Sequence, residues 1–326
     1  MPFSGGDEME PSLSDHVVIT PVFEDSEAAG QMFHALSVAM GSNVFVIAVD
    51  DGSVAQPLRQ DSIGKAGLDG IVIRLKRNVG HQRAIAVGLG YAAEHFPGAT
   101  TVVMDCDGED LPEQIEELLT GLSQPGVDVV VARRKKRLET TSFKIFYFFY
   151  RHLFRLLTGR NISFGNFMVL SPFALKRLVA MSELWIHVAG CLLVSKLRIH
   201  HISLDRGPRY AGQSKMNFHG LILHGFRAFM IFAEDVLVRV GVACASIAAV
   251  SIMGISLSIL LKSAGMASPG WFSMALGILV LVLIQTGTLI LMTLMLTGIV
   301  RNGISVSINY LDFIDEVCPA ERPDNV

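Results

Sequence analysis

Two long uncharged stretches near the C-terminal end constrain the fold of this chain more than any other feature. Residues 240–261 and residues 263–300 contain no Asp, Glu, Lys or Arg, and only Lys262 separates them. About 20 apolar residues in a helix are enough to cross the hydrocarbon core of a bilayer. The sequence therefore predicts two transmembrane helices, at about 238–261 and 271–298.

The charges around this hairpin, residues 236–300, predict its orientation. Lys262 is the only cation near its turn, whereas arginines flank its open end. These arginines are Arg227, Arg239 and Arg301. Because Lys and Arg concentrate on the cytoplasmic side of membrane proteins, we expect the preceding domain and a tail of residues 301–326 to be cytoplasmic. The prediction is a multi-pass protein of the cell membrane.

The N-terminal sequence, the cysteines and the net charge limit where the protein is located and what it binds. Residues 1–15 are polar and acidic, lack the apolar core of a secretory signal, and are expected to be flexible. The four cysteines have neither metal nor disulfide spacing, which fits a reducing cytosol. A net charge of -3 and the lack of a nucleic-acid-binding motif predict no nucleic-acid partner.

Short apolar runs alternate with amphipathic helical patterns over the first two thirds of the chain. The predicted strands are 16–23, 43–53, 70–76, 101–105, 128–134 and 164–170, and the predicted helices are 25–40, 82–95, 112–122 and 183–197. This alternation predicts an α/β fold with a doubly wound, mostly parallel sheet, whose ligands bind beyond the carboxyl ends of the strands. A G-x-G-x-x-A pattern at 88–93 lies inside a predicted helix, so it indicates close helix packing and not a dinucleotide site.

Residues 102–113 contain the strongest candidates for a metal-binding or catalytic site. Four carboxylates follow the predicted strand at its carboxyl end. They are Asp105, Asp107, Glu109 and Asp110. Such crowding raises each pKa unless a cation lies among them, and oxygen ligands suit Mg²⁺ or Mn²⁺ bound together with substrate phosphates. An acidic loop before a helix start is the simpler interpretation of the pattern alone, and the neighbouring motifs favour the metal site.

Two further stretches combine aromatic and basic residues in a helical pattern. Residues 139–158 and 217–235 both fit an amphipathic helix lying at a membrane interface. For the first stretch, a buried core helix is an equal alternative. The second leads directly into the first apolar stretch, so we assign it to an interfacial helix.

The order of several short motifs is more specific than any one of them. They are TPVFED at 20–25, VDDGS at 49–53, RNVGHQRAIAVGLGYA at 77–92, MDCDGEDLPE at 104–113, RR at 133–134 and RYAGQSK at 209–215. In this order, and followed by two apolar helices, they resemble the family 2 glycosyltransferases of the GT-A fold, and within them the polyprenyl-phosphate glycosyltransferases. The resemblance covers nearly the whole chain and implies that residues 16–216 form a GT-A catalytic domain.

The resemblance implies a role for each matching position. The nucleotide-sugar donor would contact Pro21, Glu24, Asp50, Asp51, Asp105, Arg209 and Lys215. The acceptor phosphate would face Arg133, Ser142 and Lys144. Asp107 and Glu109 would hold Mg²⁺ or Mn²⁺ on the donor diphosphate, and Asp105, near the ribose or the metal, and Asp107 would be catalytic. The implied partners are a nucleotide sugar, a polyprenyl phosphate lipid and the membrane bilayer, and a homo-oligomer is left open.

Two positions depart from the pattern of the family. Glu109 stands where the family usually has Gln, and its added negative charge is expected to tighten the hold on the ion. Asn166 stands where many relatives have Asp, and asparagine cannot be a general base. Glu183 and His187, one helical turn apart, are candidate catalytic substitutes, with a helix cap and a packed imidazole as the plainer alternative.

These residues predict metal-dependent, inverting transfer of a sugar to a polyprenyl phosphate on the cytoplasmic leaflet. A phosphate monoester needs no base, because its second pKa is about 6. A polysaccharide-synthase-type enzyme acting on a sugar hydroxyl is the first alternative, but neither Trp185 nor Trp271 lies in its Q-x-x-R-W element. A non-catalytic membrane partner with a degenerate transferase domain is the second.

Overall fold

The computed structural model describes residues 15–41, 43–134, 141–160, 164–210, 227, 229–302 and 308–321. They fall into two compact units. The first takes its described residues from Met1–Glu139, Ile162–Leu223 and Val306–Val326, and the second from Thr140–Asn161 and His224–Ser305. The predicted continuous domain of residues 16–216 is therefore interrupted, because the helix after residue 140 packs with the apolar helices.

An eight-stranded mixed sheet, counted over the described residues, forms the centre of the first unit. Its strands are β1 (His16–Val22), β2 (Val44–Asp50), β3 (Asp69–Leu75), β4 (Thr100–Val103), β5 (Val129–Arg134), β6 (Met168–Leu170), β7 (Ile199–Leu204) and β8 (Ile314–Pro319). The order across the sheet is β7-β5-β6-β4-β1-β2-β3-β8. Only β6 and β8 run antiparallel to their described neighbours. The predicted mostly parallel sheet of the GT-A type is confirmed.

Helices cover both faces of this sheet. The helices of the described residues are, in chain order, α1 (Ser26–Met40), α2 (Asp61–Lys65), α3 (His81–His95), α4 (Ile115–Leu122), α5 (Thr141–Thr158), α6 (Pro172–Val179), α7 (Val188–Val194), α8 (Ala233–Ser263) and α9 (Trp271–Asn302), and those that cover the sheet are α1 to α4, α6 and α7. Successive side chains of β1 point to opposite faces, so Val18 packs with α1, α2 and α4 while Ile19 packs with α3, α6 and α7. Burial on both faces is the reason these strands read as continuous apolar runs. Helices α5, α8 and α9 belong to the second unit.

The predicted single helix over 183–197 is wrong. A 3₁₀ turn at Ser182–Trp185 is followed by His187, which caps the separate helix α7. The Nδ1 atom of His187 accepts a hydrogen bond from the backbone N–H of Gly190 at 3.0 Å. This bond satisfies one of the N–H groups that the first turn of a helix leaves without a partner. Glu183 and His187 therefore do not lie on one face of one helix.

Within the predicted tail of residues 301–326, the described residues 314–319 form strand β8 of the sheet. Strand β8 pairs antiparallel with β3, and the backbone N–H of Lys76 donates to the carbonyl of Phe313 at 3.0 Å. The ring of Tyr310 lies against Gly90 of α3, where a Cβ would be 2.9 Å from it. The helix-packing role predicted for the glycines of residues 88–93 is thereby confirmed.

The second unit contains two long helices that pack against one another. A Cβ added at Gly254 of α8 would lie 3.2 Å from Leu279 of α9, and one added at Gly241 would lie 3.4 Å from Thr293. Both helices are long and apolar enough to cross a membrane, and only 22% and 6% of their most apolar windows are buried. A core helix of a soluble protein would be mostly buried.

Candidate active site

Two neighbouring aspartates shape the loop at the carboxyl end of β2. Asp50 accepts hydrogen bonds from the backbone N–H groups of Ser53 and Leu58, both at 2.9 Å. Asp51 accepts from the backbone N–H groups of Val79 at 2.7 Å and Gly80 at 2.9 Å. Burial raises the pKa of Asp51, and the two N–H donors oppose this rise. Both carboxylates therefore hold the backbone of neighbouring loops in place. These loops lie at the edge of the sheet where the donor is predicted to bind.

Glu24 holds the next part of the same loop. Its carboxylate accepts hydrogen bonds from the backbone N–H groups of Val54 at 2.6 Å, Ala55 at 3.0 Å and Gln56 at 2.5 Å. Its own N–H donates to the hydroxyl of Ser53 at 2.8 Å. Pro21, the other residue predicted to line the nucleoside pocket, is buried in β1 three residues earlier.

The acidic loop, residues 105–110, follows β4. It lies at the carboxyl edge of the sheet, where β1 and β2 also end. Asp110, which is 3% exposed, accepts the backbone N–H of Asp105 at 3.0 Å. Asp107 accepts the backbone N–H of Glu109 at 3.0 Å. Gly108 has a φ of 88°, and a Cβ there would be 2.7 Å from the ring of Tyr210. The loop is thus folded on itself and covered by a second segment.

That second segment, residues 205–210, brings two arginines onto the acidic loop. Arg209 contacts Asp107 at 2.8 Å through Nη2 and Glu109 at 2.9 Å through Nε. Arg206 contacts the other carboxylate oxygen of Glu109. Arg209 had been predicted at the donor site from its motif, whereas Arg206 had not been singled out, because a charged loop residue leaves no periodic signal.

A chain of polar side chains reaches the acidic loop from the start of α3. The amide of Gln82 accepts the backbone N–H of Val188 at 2.8 Å and donates to the Oδ1 of Asn166 at 3.2 Å. The amide nitrogen of Asn166 lies 3.0 Å from the Nε2 of His81, which is 3.2 Å from the Oδ1 of Asp105. Asn166, at the position where many relatives carry Asp, is thus a link between α3 and the acidic loop.

His81 lies in the motif at residues 77–92, and no role for it was predicted from the sequence. Its side chain is 44% exposed, and partial removal from water disfavours its charged form. The negative charges of Asp105, Asp107 and Asp110 outweigh that effect and raise the pKa of His81 above its ordinary value. The ring therefore contributes positive charge to the acidic loop more readily than an isolated histidine would.

A small cleft opens beside the acidic loop. It is lined in part by Glu109, Arg133, Gly165, Phe167 and Arg206. Arg133, predicted to face the acceptor phosphate, is exposed at the end of β5. The structure thus brings Arg133 into the same cleft as a carboxylate predicted to bind the metal.

The remaining residues predicted for the site either lie away from the acidic loop or fall outside the described residues. His187 is 4% exposed and caps α7, and Glu183 lies in the preceding 3₁₀ turn. Lys215 and the side chains of Ser142 and Lys144 lie outside the described residues.

The donor set of the acidic loop fits a hard divalent cation. Asp107 offers carboxylate oxygens, the ligands that Mg²⁺ and Mn²⁺ take in combination with substrate phosphates. Both carboxylate oxygens of Glu109 contact arginines. Within the described ranges no group of three or more His, Cys, Asp or Glu side chains is placed to hold a metal by itself. The fit is therefore to an ion that arrives with a phosphate-bearing ligand.

The sheet order, with an acidic loop at the carboxyl edge of its parallel strands, defines an α/β transferase domain of the GT-A type. Residues 17–185, more than half of the 326 residues, match the sequence profile of glycosyl transferase family 2. The chain belongs to this family and is a glycosyltransferase.

Several curated proteins are similar to this chain. An uncharacterized glycosyltransferase of Synechocystis is 26% identical over 81% of this chain and 84% of its own length. A dodecaprenyl-phosphate galacturonate synthase of Rhizobium johnstonii is 28% identical over 42% of this chain and 40% of its own length. An undecaprenyl-phosphate 4-deoxy-4-formamido-L-arabinose transferase of Edwardsiella ictaluri is 26% identical over 44% of this chain and 42% of its own length.

Among solved structures, one similar chain is the glucosyl-3-phosphoglycerate synthase of Mycobacterium tuberculosis, crystallised with Mn²⁺, uridine-diphosphate-glucose and phosphoglyceric acid. It superposes with a TM-score of 0.47 at 15% identity, over 69% of this chain and 79% of that chain.

Proposed function

We propose that this protein transfers a sugar, with inversion, from a nucleotide sugar to a polyprenyl phosphate at the cytoplasmic face of a membrane. The observation that carries the proposal is the cleft in which Arg133 and Arg206 lie beside Glu109 of the acidic loop. A lipid phosphate entering this cleft would meet cations next to the place proposed for the donor diphosphate. Two relatives whose names contain a polyprenyl phosphate support this acceptor.

The donor side would use the loops at the ends of β1 and β2. Asp50 and Glu24 hold the backbone of residues 53–58, which forms one wall of the proposed nucleoside pocket. Asp51 already accepts two backbone N–H groups, but a carboxylate has about four lone-pair sites. It therefore keeps capacity to accept a hydrogen bond from the nucleobase, as the family resemblance implies.

Asp107 would hold the divalent ion, and Asp105 beside it would face the ribose or the ion. When bound, the ion would act as a Lewis acid that stabilises the negative charge of the departing diphosphate. Arg209, which contacts Asp107 at 2.8 Å, is placed to neutralise part of the same charge. The acidic loop would thus position the leaving group by charge alone.

The acceptor would need orientation more than deprotonation. The second pKa of a phosphate monoester is about 6, so its oxygen is already anionic near neutral pH. That oxygen would attack the anomeric carbon while the carbon–oxygen bond to the nucleoside diphosphate breaks, and the bonding pair leaves with the diphosphate. One displacement gives inversion. Arg133 would hold the attacking phosphate against the repulsion of the donor.

The order of the strands and helices supports a membrane hairpin of α8 and α9 whose two ends lie on the same side of the membrane. Strand β7 precedes α8 and strand β8 follows α9, and both strands belong to one sheet. A chain that crosses a membrane once in each helix must therefore return to the side from which it started. With the arginines at the open end, we place that side in the cytoplasm.

The test uses the full chain in detergent with Mn²⁺ and a panel of nucleotide sugars. Each donor is offered a polyprenyl phosphate or the matching polyprenol, which differs only in lacking the phosphate. We expect a glycolipid product with the phosphate alone, and no product after chelation of the metal. Equal transfer to the polyprenol or to a sugar hydroxyl would overturn the proposed acceptor, and turnover that survives chelation would overturn the proposed metal.

A further inference from the structure

The surroundings of Glu109 differ from those of a metal ligand. One carboxylate oxygen contacts Arg206 and the other contacts the Nε of Arg209 at 2.9 Å. The side chain is only 11% exposed, and Arg206 is 30% exposed. Glu109 adds a negative charge at a position where the family usually has glutamine. Arg206 of the same chain neutralises this charge.

The backbone around Glu109 is joined to the same segment. The N–H of Gly207 donates to the carbonyl of Glu109 at 3.1 Å, and the N–H of Tyr210 donates to the carbonyl of Asp107 at 2.9 Å. A Cβ at Gly207 would lie 2.3 Å from the carbonyl oxygen of Gly108, so only glycine permits this approach. Residues 205–210 and the acidic loop are thus paired along their length, with Glu109 as the side chain that both arginines contact.

We propose that Glu109 is a positioning residue that anchors residues 205–210 over the site, with Arg206 as its dedicated partner, and is not a ligand of the metal. The proposal rests on the proposed function, because the anchored arginines are those that would meet the donor. Arg209 is shared between Asp107 and Glu109. Once Asp107 is engaged by an ion, the Glu109 carboxylate would still hold both arginines of the segment.

Charge supports this division of work. Arg206 neutralises Glu109, so the pair as a whole adds almost no net charge near Asp107. The expectation that Glu109 tightens the hold on the ion is replaced by a different one. Loss of Glu109 should loosen residues 205–210, and loss of Glu109 together with Arg206 should leave the affinity for the ion nearly as it was.

The first measurement is amide hydrogen exchange of the full-length protein in detergent, read on peptides that cover residues 205–210. The variants are Glu109→Gln, Arg206→Gln, both together, and Glu117→Gln as a matched control on the exposed face of α4. We expect each single site change to speed exchange of the segment about tenfold. The double variant should do no more than Glu109→Gln, because that change already removes the ion pair with Arg206. The control should match the unaltered protein.

The second measurement is the affinity for Mn²⁺ alone, followed by electron paramagnetic resonance. The double variant keeps the local charge and should change the Kd for Mn²⁺ by less than about threefold, whereas loss of a ligand should raise it about tenfold or more. A tenfold rise, or unchanged exchange of residues 205–210, overturns the proposal. If the unaltered protein bound no Mn²⁺ and formed no glycolipid, the proposed function would fail, and the exchange rates would still decide the anchoring role.

Discussion

The ring of Phe313 stacks on the indole of Trp185, with centroids 5.3 Å apart and planes 23° from parallel. Phe313 follows the second apolar helix, whereas Trp185 precedes both. The side chain of Arg83, near the start of α3, contacts the same place, because its Nε donates to the backbone carbonyl of Trp185 at 3.4 Å. The residues after α9 thus support the helix that carries His81 and Gln82.

Removal of this stack should destabilise the transferase unit. Phe313→Ala is expected to cost about 1–3 kcal/mol, since a half-buried ring loses its contacts, and to lower the Tm by about 2–8 °C. Leu311→Ala, at a half-exposed position nearby, serves as the control. In a double-mutant cycle with Trp185→Ala the coupling should be about 0.5–1.5 kcal/mol. Independent effects of the two changes would contradict a direct stacking contribution.

Asp107→Asn should remove most of the transfer activity. The substitution keeps the size of the side chain but removes the charge proposed to hold the ion, so turnover should fall about a hundredfold or more. Mn²⁺ binding measured in parallel should weaken as well. Asp315→Asn, at an exposed position on β8, should leave both quantities unchanged. Full activity of Asp107→Asn with normal Mn²⁺ affinity would refute the role of this carboxylate.

Asn166→Ala tests whether the acceptor needs a base. The amide of Gln82, 3% exposed, would lose its acceptor, which should cost about 1–3 kcal/mol of stability. Turnover with a polyprenyl phosphate should fall less than about tenfold, because loss of a general base would cost about 10² to 10⁴. A larger loss that Asn166→Asp restores would favour a sugar hydroxyl as the acceptor.

The ion pair of Asp128 and Arg198 should give a pH-dependent contribution to stability. Arg198 donates to the carboxylate through Nε at 2.9 Å and Nη2 at 2.7 Å, and these bonds lower the pKa of Asp128. A depressed pKa stabilises the folded state above the unfolded value of about 4, and this stability is lost as pH falls. Asp128→Asn should therefore lower the Tm near neutral pH, and the difference should vanish in acid. A Tm difference that does not depend on pH would contradict this assignment.

Cysteine labelling tests the direction of the two apolar helices. The four native cysteines are buried, so single introduced thiols can be read against a low background. An impermeant maleimide should reach Ser268→Cys, between α8 and α9, from outside intact cells. It should reach Asp312→Cys, after α9, only once the membrane is permeabilised. Labelling of both positions from one side would exclude a hairpin that crosses the membrane.

Strands buried on both faces were predicted from the sequence because most of their residues are apolar. Strand β8 was missed for a different reason. It is an exposed edge strand, and its pairing joins residues far apart in the chain, such as Arg74 and Glu316 at 2.9 Å. The break between Glu183 and His187 was also missed, because the apolar pattern continues through a cap that depends on one imidazole.

The sequence by itself determined strands β1 to β6, the two membrane-length helices and the acidic loop, because burial and strand ends impose local patterns of residue types. Only the tertiary structure decided which cation faces which carboxylate. Arg206 lies close to a hundred residues after Glu109, and nothing in the local sequence of either residue specifies the other. The folded backbone decides which charged side chains come close enough to form an ion pair. The charge of a residue does not by itself specify which residue will be its partner.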